Sequence, residues 1–125
     1  MTVLFDSWAW VEYFRDGEKA KDVAAYLEKD IEIYISAITV AEVFRFLLHH
    51  ETRQTAEKLT RWMIQRAHVI VLTSKIAWSA AEYKHKYKWG LGDATVYATA
   101  RSKGIDIVTG DADFKEVPNV IYFGK

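Results

Sequence analysis

Apolar positions along this chain follow two periods in turn, one typical of strands and one typical of helices. Short β-branched or wholly apolar runs predict strands at residues 2–5, 31–35, 68–72, 105–109 and 120–123. Apolar residues spaced by three and four predict helices at residues 7–14, 20–27, 38–48, 56–67, 74–87 and 93–103. Ser74 and Asp93 stand where helix N-caps are expected, and Gly104 stands where a helix ends.

Strands that alternate with helices predict an α/β fold, in which a mostly parallel central sheet lies between two helical layers as an α/β/α sandwich. The 125 residues suit one domain, and half of them are hydrophobic, which is enough for one sizeable core. One proline and six glycines leave no flexible linker. We therefore expect residues 1–125 to form a single domain.

Composition narrows the classes of function. The formal net charge is zero, so binding to nucleic acid would require a local basic patch. The absence of cysteine excludes disulfides and thiolate chemistry, and it suits a reducing cytoplasm. The N-terminus lacks the basic start of a secretion signal, and no run reaches the roughly 18 apolar residues of a membrane span.

Four acidic residues stand beside apolar segments: Asp6, Glu42, Asp93 and Asp111. Asp6 and Asp111 follow predicted strands, whereas Glu42 and Asp93 lie in the first turns of predicted helices. In a parallel sheet these positions all belong at the carboxyl ends of the strands, where ligands bind. Carboxylates crowded together near a core repel one another unless a cation holds them.

Each acid also has an ordinary structural explanation. Asp6 and Asp93 would serve as helix caps, and Asp111 would serve as a turn residue. Glu42 would complete a capping box with Thr39. Four independent caps have no reason to converge, however, so their expected meeting at one edge favours a metal site. Oxygen ligands without cysteine or histidine suit Mg²⁺ or Mn²⁺, and the reaction they indicate is phosphodiester hydrolysis by metal-activated water.

The order and spacing of the local strings around these acids resemble the PIN-domain nucleases over essentially the whole chain. The strings are Val3-Leu4-Phe5-Asp6-Ser7, Ser36-Ala37-Ile38-Thr39-Val40-Ala41-Glu42-Val43, Gly92-Asp93-Ala94 with Ala98-Thr99-Ala100, and Val108-Thr109-Gly110-Asp111-Ala112-Asp113-Phe114. The short length is similar to the VapC-type toxins of prokaryotic toxin–antitoxin pairs.

This resemblance implies a PIN-like fold and a Mg²⁺- or Mn²⁺-dependent endoribonuclease that is neutralised by a cognate antitoxin and forms a homodimer. It implies that Asp6, Glu42, Asp93 and Asp111 are the metal-site acids, which Thr109 orients through its hydroxyl group. Asp113 is a candidate fifth acid.

The first aspartate motif departs from the family pattern. Many relatives carry a hydroxyl two positions after the first aspartate, where this chain has Trp8. Ser7 is adjacent, but on a continuing strand its side chain would point away from the site.

Two basic segments and a set of aromatics predict binding surfaces. Residues 84–89 interleave lysines with aromatics, as suits RNA backbone and unstacked bases, although helix-end lysines also favour the helix dipole. A second segment holds Arg45, His49, His50 and Arg53, for which an ordinary exposed helix end is the competing explanation. The aromatics outnumber what one small core hides, and a groove between the first helices and the Phe44 helix would suit an antitoxin segment. These aromatics are Trp8, Trp10, Tyr13, Phe14, Phe44, Phe46 and Trp62.

Other functions fit the sequence less well. A receiver domain of a response regulator is also α/β and acid-rich, but its third strand should end at an acid, whereas residues 72–74 read Leu-Thr-Ser. A PIN nuclease of housekeeping RNA processing and a PIN scaffold that binds without cleaving remain as alternatives.

Overall fold

A computed structural model describes all residues, 1–125, and its central feature is a five-stranded sheet in the order β3-β2-β1-β4-β5. The strands are β1 (Thr2–Phe5), β2 (Glu32–Ser36), β3 (His68–Ile70), β4 (Asp106–Thr109) and β5 (Val120–Tyr122). All four strand pairings are parallel. Six helices connect them: α1 (Ser7–Phe14), α2 (Ala20–Glu28), α3 (Ala37–His50), α4 (Arg53–Arg66), α5 (Ser74–Tyr87) and α6 (Leu91–Lys103).

The side-chain alternation of the central strands separates two cores. In β1, Val3 and Phe5 pack in one core while Leu4 packs in the other. In β4, Val108 packs in the first core and Ile107 packs in the second. Helices α1 to α4 cover the first core, and α5 and α6 cover the second. The predicted α/β/α sandwich is therefore confirmed, with a sheet that is parallel throughout.

The end of β3, the cap of α5 and the start of α6 differ from the prediction. Strand β3 ends at Ile70 rather than residue 72, and Val71 is 71% exposed. Helix α5 is capped by Thr73, whose side chain accepts a hydrogen bond from the backbone N–H of Ile76, so Ser74 is not the cap. Helix α6 begins at Leu91, so Asp93 lies inside its first turn and does not cap it.

Helix α3 begins earlier than the predicted capping box requires. Its N-cap is Ser36, whose hydroxyl accepts from the backbone N–H of Ile38. Glu42 therefore lies well inside the helix, and its explanation as the partner of Thr39 in a capping box is wrong. No helix combines the length and hydropathy that a membrane crossing requires.

Candidate metal centre

Asp6 is the most enclosed of the acids, with 3% of its surface exposed. It follows the central strand β1 and caps α1, because one carboxylate oxygen accepts from the backbone N–H of Ala9 at 3.1 Å. The other oxygen accepts a hydrogen bond from the hydroxyl of Thr109, at the end of the neighbouring strand β4. The Thr109 oxygen in turn accepts from the backbone N–H of Asp111 at 3.0 Å. Thr109 thus links two acids, which is the contact that the family resemblance implies.

The electrostatic surroundings of Asp6 disfavour its charged form. Burial raises the pKa of Asp6 from an ordinary value of 3.8 to about 7. The hydrogen bonds from Thr109 and Ala9 oppose this shift, whereas the charges of Asp111 and Glu42 add to it. A carboxyl group in this position is charged near neutral pH only at a cost, unless a cation compensates it.

Three further carboxylates meet beside Asp6. Oxygen atoms of Asp93, Asp111 and Asp113 all lie within 4.8 Å of one another. Asp93 comes from the first turn of α6, and the other two flank the start of a 3₁₀ turn, Ala112–Phe114, that Asp111 caps. Burial raises the pKa of Asp93 to about 8, with further contributions from a hydrogen bond to Asp113 and from the neighbouring charges. Asp113 therefore belongs to the cluster by position.

Glu42 approaches the same place from α3. Burial raises its pKa, and the charge of Asp111 adds to this effect. The nearby Ser7 hydroxyl group opposes this shift and lowers the pKa of Glu42. Ser7 begins α1 rather than continuing β1, so the expectation that its side chain points away from the site is wrong.

These residues form what we call the acidic cluster. Its members are Asp6, Glu42, Asp93, Asp111 and Asp113. The structure brings together all four acids that the sequence singled out, and Asp113, the candidate fifth acid, lies with them. Asp6 and Asp111 also serve as caps. For these two side chains, the explanation as a cap and the membership of the acidic cluster both apply.

Gly92 lies against Glu42, a contact that sequence reasoning missed. A Cβ atom at residue 92 would stand 2.7 Å from Oε2 of Glu42 and would clash with it. The only signal in the sequence was a second glycine, Gly92, immediately before Asp93. The absence of a side chain there lets the Glu42 carboxylate reach the cluster.

Gly92→Ala is expected to displace the Glu42 carboxylate and lower metal affinity and activity by roughly 10- to 100-fold, the range seen when groups supporting a metal site are lost. The fold should melt within a few degrees of the wild type. Gly90→Ala is the matched control, because nothing lies within 4 Å of a Cβ atom at that position. Metal titration followed by fluorescence measures the effect. Equal metal affinity of the two variants would contradict the placement of Glu42.

Trp8 occupies the position of the missing hydroxyl and packs on the backbone beside Asp111. A Cβ atom on Gly110 would overlap its indole ring at 2.2 Å. Trp8 is only partly buried and borders the first core. It contributes no hydroxyl, and the hydroxyl contacts that the acidic cluster does receive come from Ser7 and Thr109.

The segment at residues 84–89 packs against the backbone of the acidic cluster, and its aromatic side chains do not point into solvent. Trp89 is 6% exposed, and its indole N–H donates to the carbonyl of Asp113 at 3.1 Å. Tyr87 stacks on Trp89 with ring centroids 4.3 Å apart. Lys84 donates to the Trp89 carbonyl at 2.9 Å. Trp89 is therefore not available to stack on an RNA base, and the exposed lysines of this segment are Lys84, Lys86 and Lys88.

The second basic segment lies elsewhere. Arg45, His49 and His50 line one cavity at the end of α3 with Phe46. Arg53 is exposed and lies 3.9 Å from Glu57. These residues do not join the acidic cluster.

The donor set of the acidic cluster fits one class of cofactor. Five carboxylates supply oxygen donors only, and hard cations such as Mg²⁺ and Mn²⁺ prefer oxygen. The raised pKa values of Asp6 and Asp93 show that mutual repulsion and burial are uncompensated by any protein cation. The residues present therefore fit a divalent ion.

Comparison with known proteins agrees with this geometry. The family model of the PIN domain matches residues 3–120. The chain therefore belongs to the PIN domain family. A search of curated protein sequences finds no match.

Several solved structures share the fold. A toxin–antitoxin complex from Klebsiella pneumoniae has a TM-score of 0.78 and 27% sequence identity, with 95% of each chain covered. VapBC2 from Rickettsia felis, bound to a DNA fragment from its promoter, has a TM-score of 0.78 and 18% identity over 99% of this chain and 98% of that one. Mycobacterium tuberculosis VapC20, described as a toxin that cleaves the sarcin–ricin loop, has a TM-score of 0.77 and 19% identity, covering 90% and 92%.

Proposed function

We propose that this chain is a Mg²⁺- or Mn²⁺-dependent endoribonuclease and the toxin of a VapBC-type toxin–antitoxin pair, acting in the cytoplasm as a single domain. The observation that carries the proposal is the meeting of five carboxylates at the carboxyl edge of a parallel sheet, where Asp6 and Asp93 have pKa values raised to about 7 and 8. Such a cluster is costly for stability alone, so a function that uses it is the better explanation.

The proposed metal ligands are Asp6, Glu42, Asp93 and Asp111, with Asp113 as a fifth acid at the exposed side. A bound ion would lower the pKa of a water molecule and offset negative charge on the scissile phosphate group. The chain holds Asp6 in place through hydrogen bonds from Ala9 and Thr109, and the Ser7 hydroxyl group lies beside Glu42.

RNA is the substrate that the relatives favour, since VapC20 is described as cleaving the sarcin–ricin loop. The acidic cluster itself repels a phosphate backbone until a cation is bound, so metal binding and RNA binding should be coupled. Lys86 and Lys88 are exposed and available for backbone phosphates. They lie near the cluster, since the neighbouring Trp89 contacts Asp113 directly.

The proposed antitoxin surface consists of two grooves that border α4. One has an apolar wall from α3 and a polar wall from α4, and it is lined by Ala37, Val40, Ala41, Phe44, Glu57, Thr60 and Arg61. The other groove is lined by Tyr13, Phe14, Lys58, Leu59 and Trp62. The predicted groove between the first helices and the Phe44 helix is thus divided by α4.

The aromatics behind these grooves are partly core. Trp10 is fully buried, whereas Trp62 is 38% exposed and stacks on Tyr13 with centroids 5.8 Å apart. The prediction that one small core does not hide all of these aromatics is confirmed for Trp62. The solved toxin–antitoxin complexes with this fold support an antitoxin as the occupant.

We also propose a homodimer. The strand β3 forms one edge of the sheet, and large apolar side chains near it are exposed: Val69, Val71, Leu72 and Trp78. An edge strand with an apolar surface favours association with a second chain. A monomeric molar mass by light scattering at micromolar concentration would contradict the dimer.

Expression in bacterial cells tests the function as a whole. The wild type should arrest growth and produce new RNA 5′ ends at a small number of sites, whereas Asp93→Asn should do neither. Mapping of 5′ ends by sequencing identifies the RNA. New 5′ ends without growth arrest would favour an RNA-processing nuclease, and RNA binding without new ends would favour the non-cleaving scaffold.

A further inference from the structure

A basic cavity of about 630 Å³ lies between α5 and α6, on the face of the sheet that carries the second core. We call it the α5–α6 cavity. It is lined by Ile70, Val71, Thr73, Lys75, Ile76, Ser79, Tyr83, Ala98, Arg101, Ser102 and Lys103. Three of these residues are cationic, none is acidic, and four carry hydroxyl groups. None of the acids of the acidic cluster lines it.

The three cations have no carboxylate partner. The ion pairs of the structure involve Arg15, Arg53 and Arg61, and none involves Lys75, Arg101 or Lys103. Like charges that converge on one cavity repel one another, so their arrangement disfavours the ligand-free protein. An anion in the cavity would remove that repulsion.

The Arg101 side chain is held in place by one hydrogen bond, and its guanidinium group has further N–H donors. One terminal nitrogen, Nη2, donates to the carbonyl of Ile105 at 2.7 Å. Its Nε is buried and has no hydrogen-bond partner. A buried donor without a partner costs free energy, so the Ile105 contact leaves the guanidinium incompletely satisfied. A guanidinium anchored in this way suits two-point contact with a phosphate group.

Helix dipoles explain only part of this charge. Arg101 and Lys103 lie in the last turn of α6, where cations are favourable. Lys75 lies in the first turn of α5, where the helix presents its positive end and the first turn contains no acid. A cation there is unfavourable on its own, and an anion beside it would be stabilised by both the lysine and the helix end.

We propose that the α5–α6 cavity binds a phosphate group, either from the RNA backbone away from the cleavage point or from a free phosphate-bearing molecule. Asp93 and Lys103 are ten positions apart in α6, which is about 15 Å along the helix. The phosphate bound here is therefore distinct from the one at the acidic cluster. Binding at this cavity does not depend on metal or on cleavage, so it stands or falls separately from the nuclease proposal.

The test compares a double variant, Lys75→Gln with Lys103→Gln, against the wild type in metal-stripped buffer. Calorimetry with inorganic pyrophosphate and anisotropy with a fluorescein-labelled single-stranded RNA are the two probes. We expect the double variant to weaken binding of at least one probe by about tenfold or more. For RNA, the slope of log K against log salt should fall by about 0.7 for each phosphate group that the double variant no longer neutralises.

The matched control is Lys21→Gln with Lys29→Gln, which removes two exposed charges near α2 on the opposite face of the sheet. It should change either affinity by less than about twofold, since these lysines do not line the α5–α6 cavity. If only RNA binding is lost, the cavity binds phosphate groups of the RNA backbone. If pyrophosphate binding is lost, the cavity also binds free phosphates. Equal affinities of the double variant and the control for both probes would overturn the proposal. Lys75→Gln alone repeats the test if the double variant melts early.

Discussion

Asp93→Asn is expected to lower the rate of metal-dependent RNA cleavage by about 10³-fold or more, since a bound ion supplies several kcal/mol of transition-state stabilisation. The thermal stability of the metal-free variant should equal or exceed that of the wild type. Asp93 carries the most perturbed carboxyl of the cluster, with a pKa raised to about 8 by burial and by its acidic neighbours. Asparagine has the same shape but no charge, so it removes the repulsion and replaces an anionic metal ligand with a weaker, neutral one.

This combination separates a functional acid from a structural one. A carboxylate that stabilises the fold would cost stability when neutralised, whereas a carboxylate kept for metal binding costs activity alone. The matched control is Asp106→Asn, because Asp106 is exposed at the start of β4, the opposite end of that strand from Thr109. Cleavage of a labelled RNA by repurified protein measures the effect. Undiminished cleavage by Asp93→Asn, free of contaminating nuclease, would contradict the metal-site assignment.

Metal-free protein is expected to lose stability as the pH rises from about 4 to about 8, and added Mg²⁺ or Mn²⁺ should restore it. The unfolded chain releases the protons of Asp6 and Asp93 near pH 3.8, but the folded protein keeps them until about pH 7 and about pH 8. Between these values the folded state binds more protons, so its stability falls with rising pH. For the fully buried Asp6 this amounts to at most about 4 kcal/mol, and the half-buried Asp93 adds less than its pKa alone would indicate.

The same linkage sets the size of the metal effect. A divalent ion binds the charged carboxylates, so it competes with protons below the raised pKa values and not above them. Ligand at about 100 times its dissociation constant stabilises the fold by about 2.7 kcal/mol, which corresponds to a rise in Tm on the order of 10 °C. We expect this rise near pH 9 and a much smaller one near pH 5. Calorimetry with Mg²⁺ and with a chelator measures both.

Two outcomes would contradict this account. Metal-free stability that increases across this pH range would show that the acids are paired rather than crowded. A metal-induced rise in Tm that is equal at both pH values would show that the ion binds away from Asp6 and Asp93. The Asp93→Asn variant is an internal control, because its metal-induced rise should be smaller than that of the wild type.

The local pattern predicted the helices that carry Glu42 and Ser7 better than it predicted the positions of these two side chains. The Glu42 error comes from a helix boundary, because the capping box required α3 to begin after Thr39, whereas it begins at Ala37. A shift of one or two residues changes whether a side chain is a cap or an interior residue. The predicted start of α1 at Ser7 is confirmed, and the Ser7 error arose because its side chain was placed on a continuing strand instead.

Trp89 shows a different limit. Lysines interleaved with aromatics are compatible both with an RNA-binding surface and with a helix end whose aromatics pack inward. The buried ring of Phe114, 4.9 Å from Trp89 between centroids, decides between them. Phe114 lies 25 residues further along the chain, so a local pattern does not reveal the contact.

By itself the sequence determined the alternation of strands and helices, the α/β class and the placement of acids at strand and helix ends. These follow from periodicity and turn chemistry, which act over a few residues. Only the tertiary structure decided that Asp113 joins Asp93 and Asp111 within 4.8 Å, and that the cavity cations lack partners. The reason is the sheet order, in which β1 lies between β2 and β4 and so brings Asp6 to Thr109 across 103 residues of chain. Proximity and burial of that kind arise from long-range packing, and they determine the charge state of the acids.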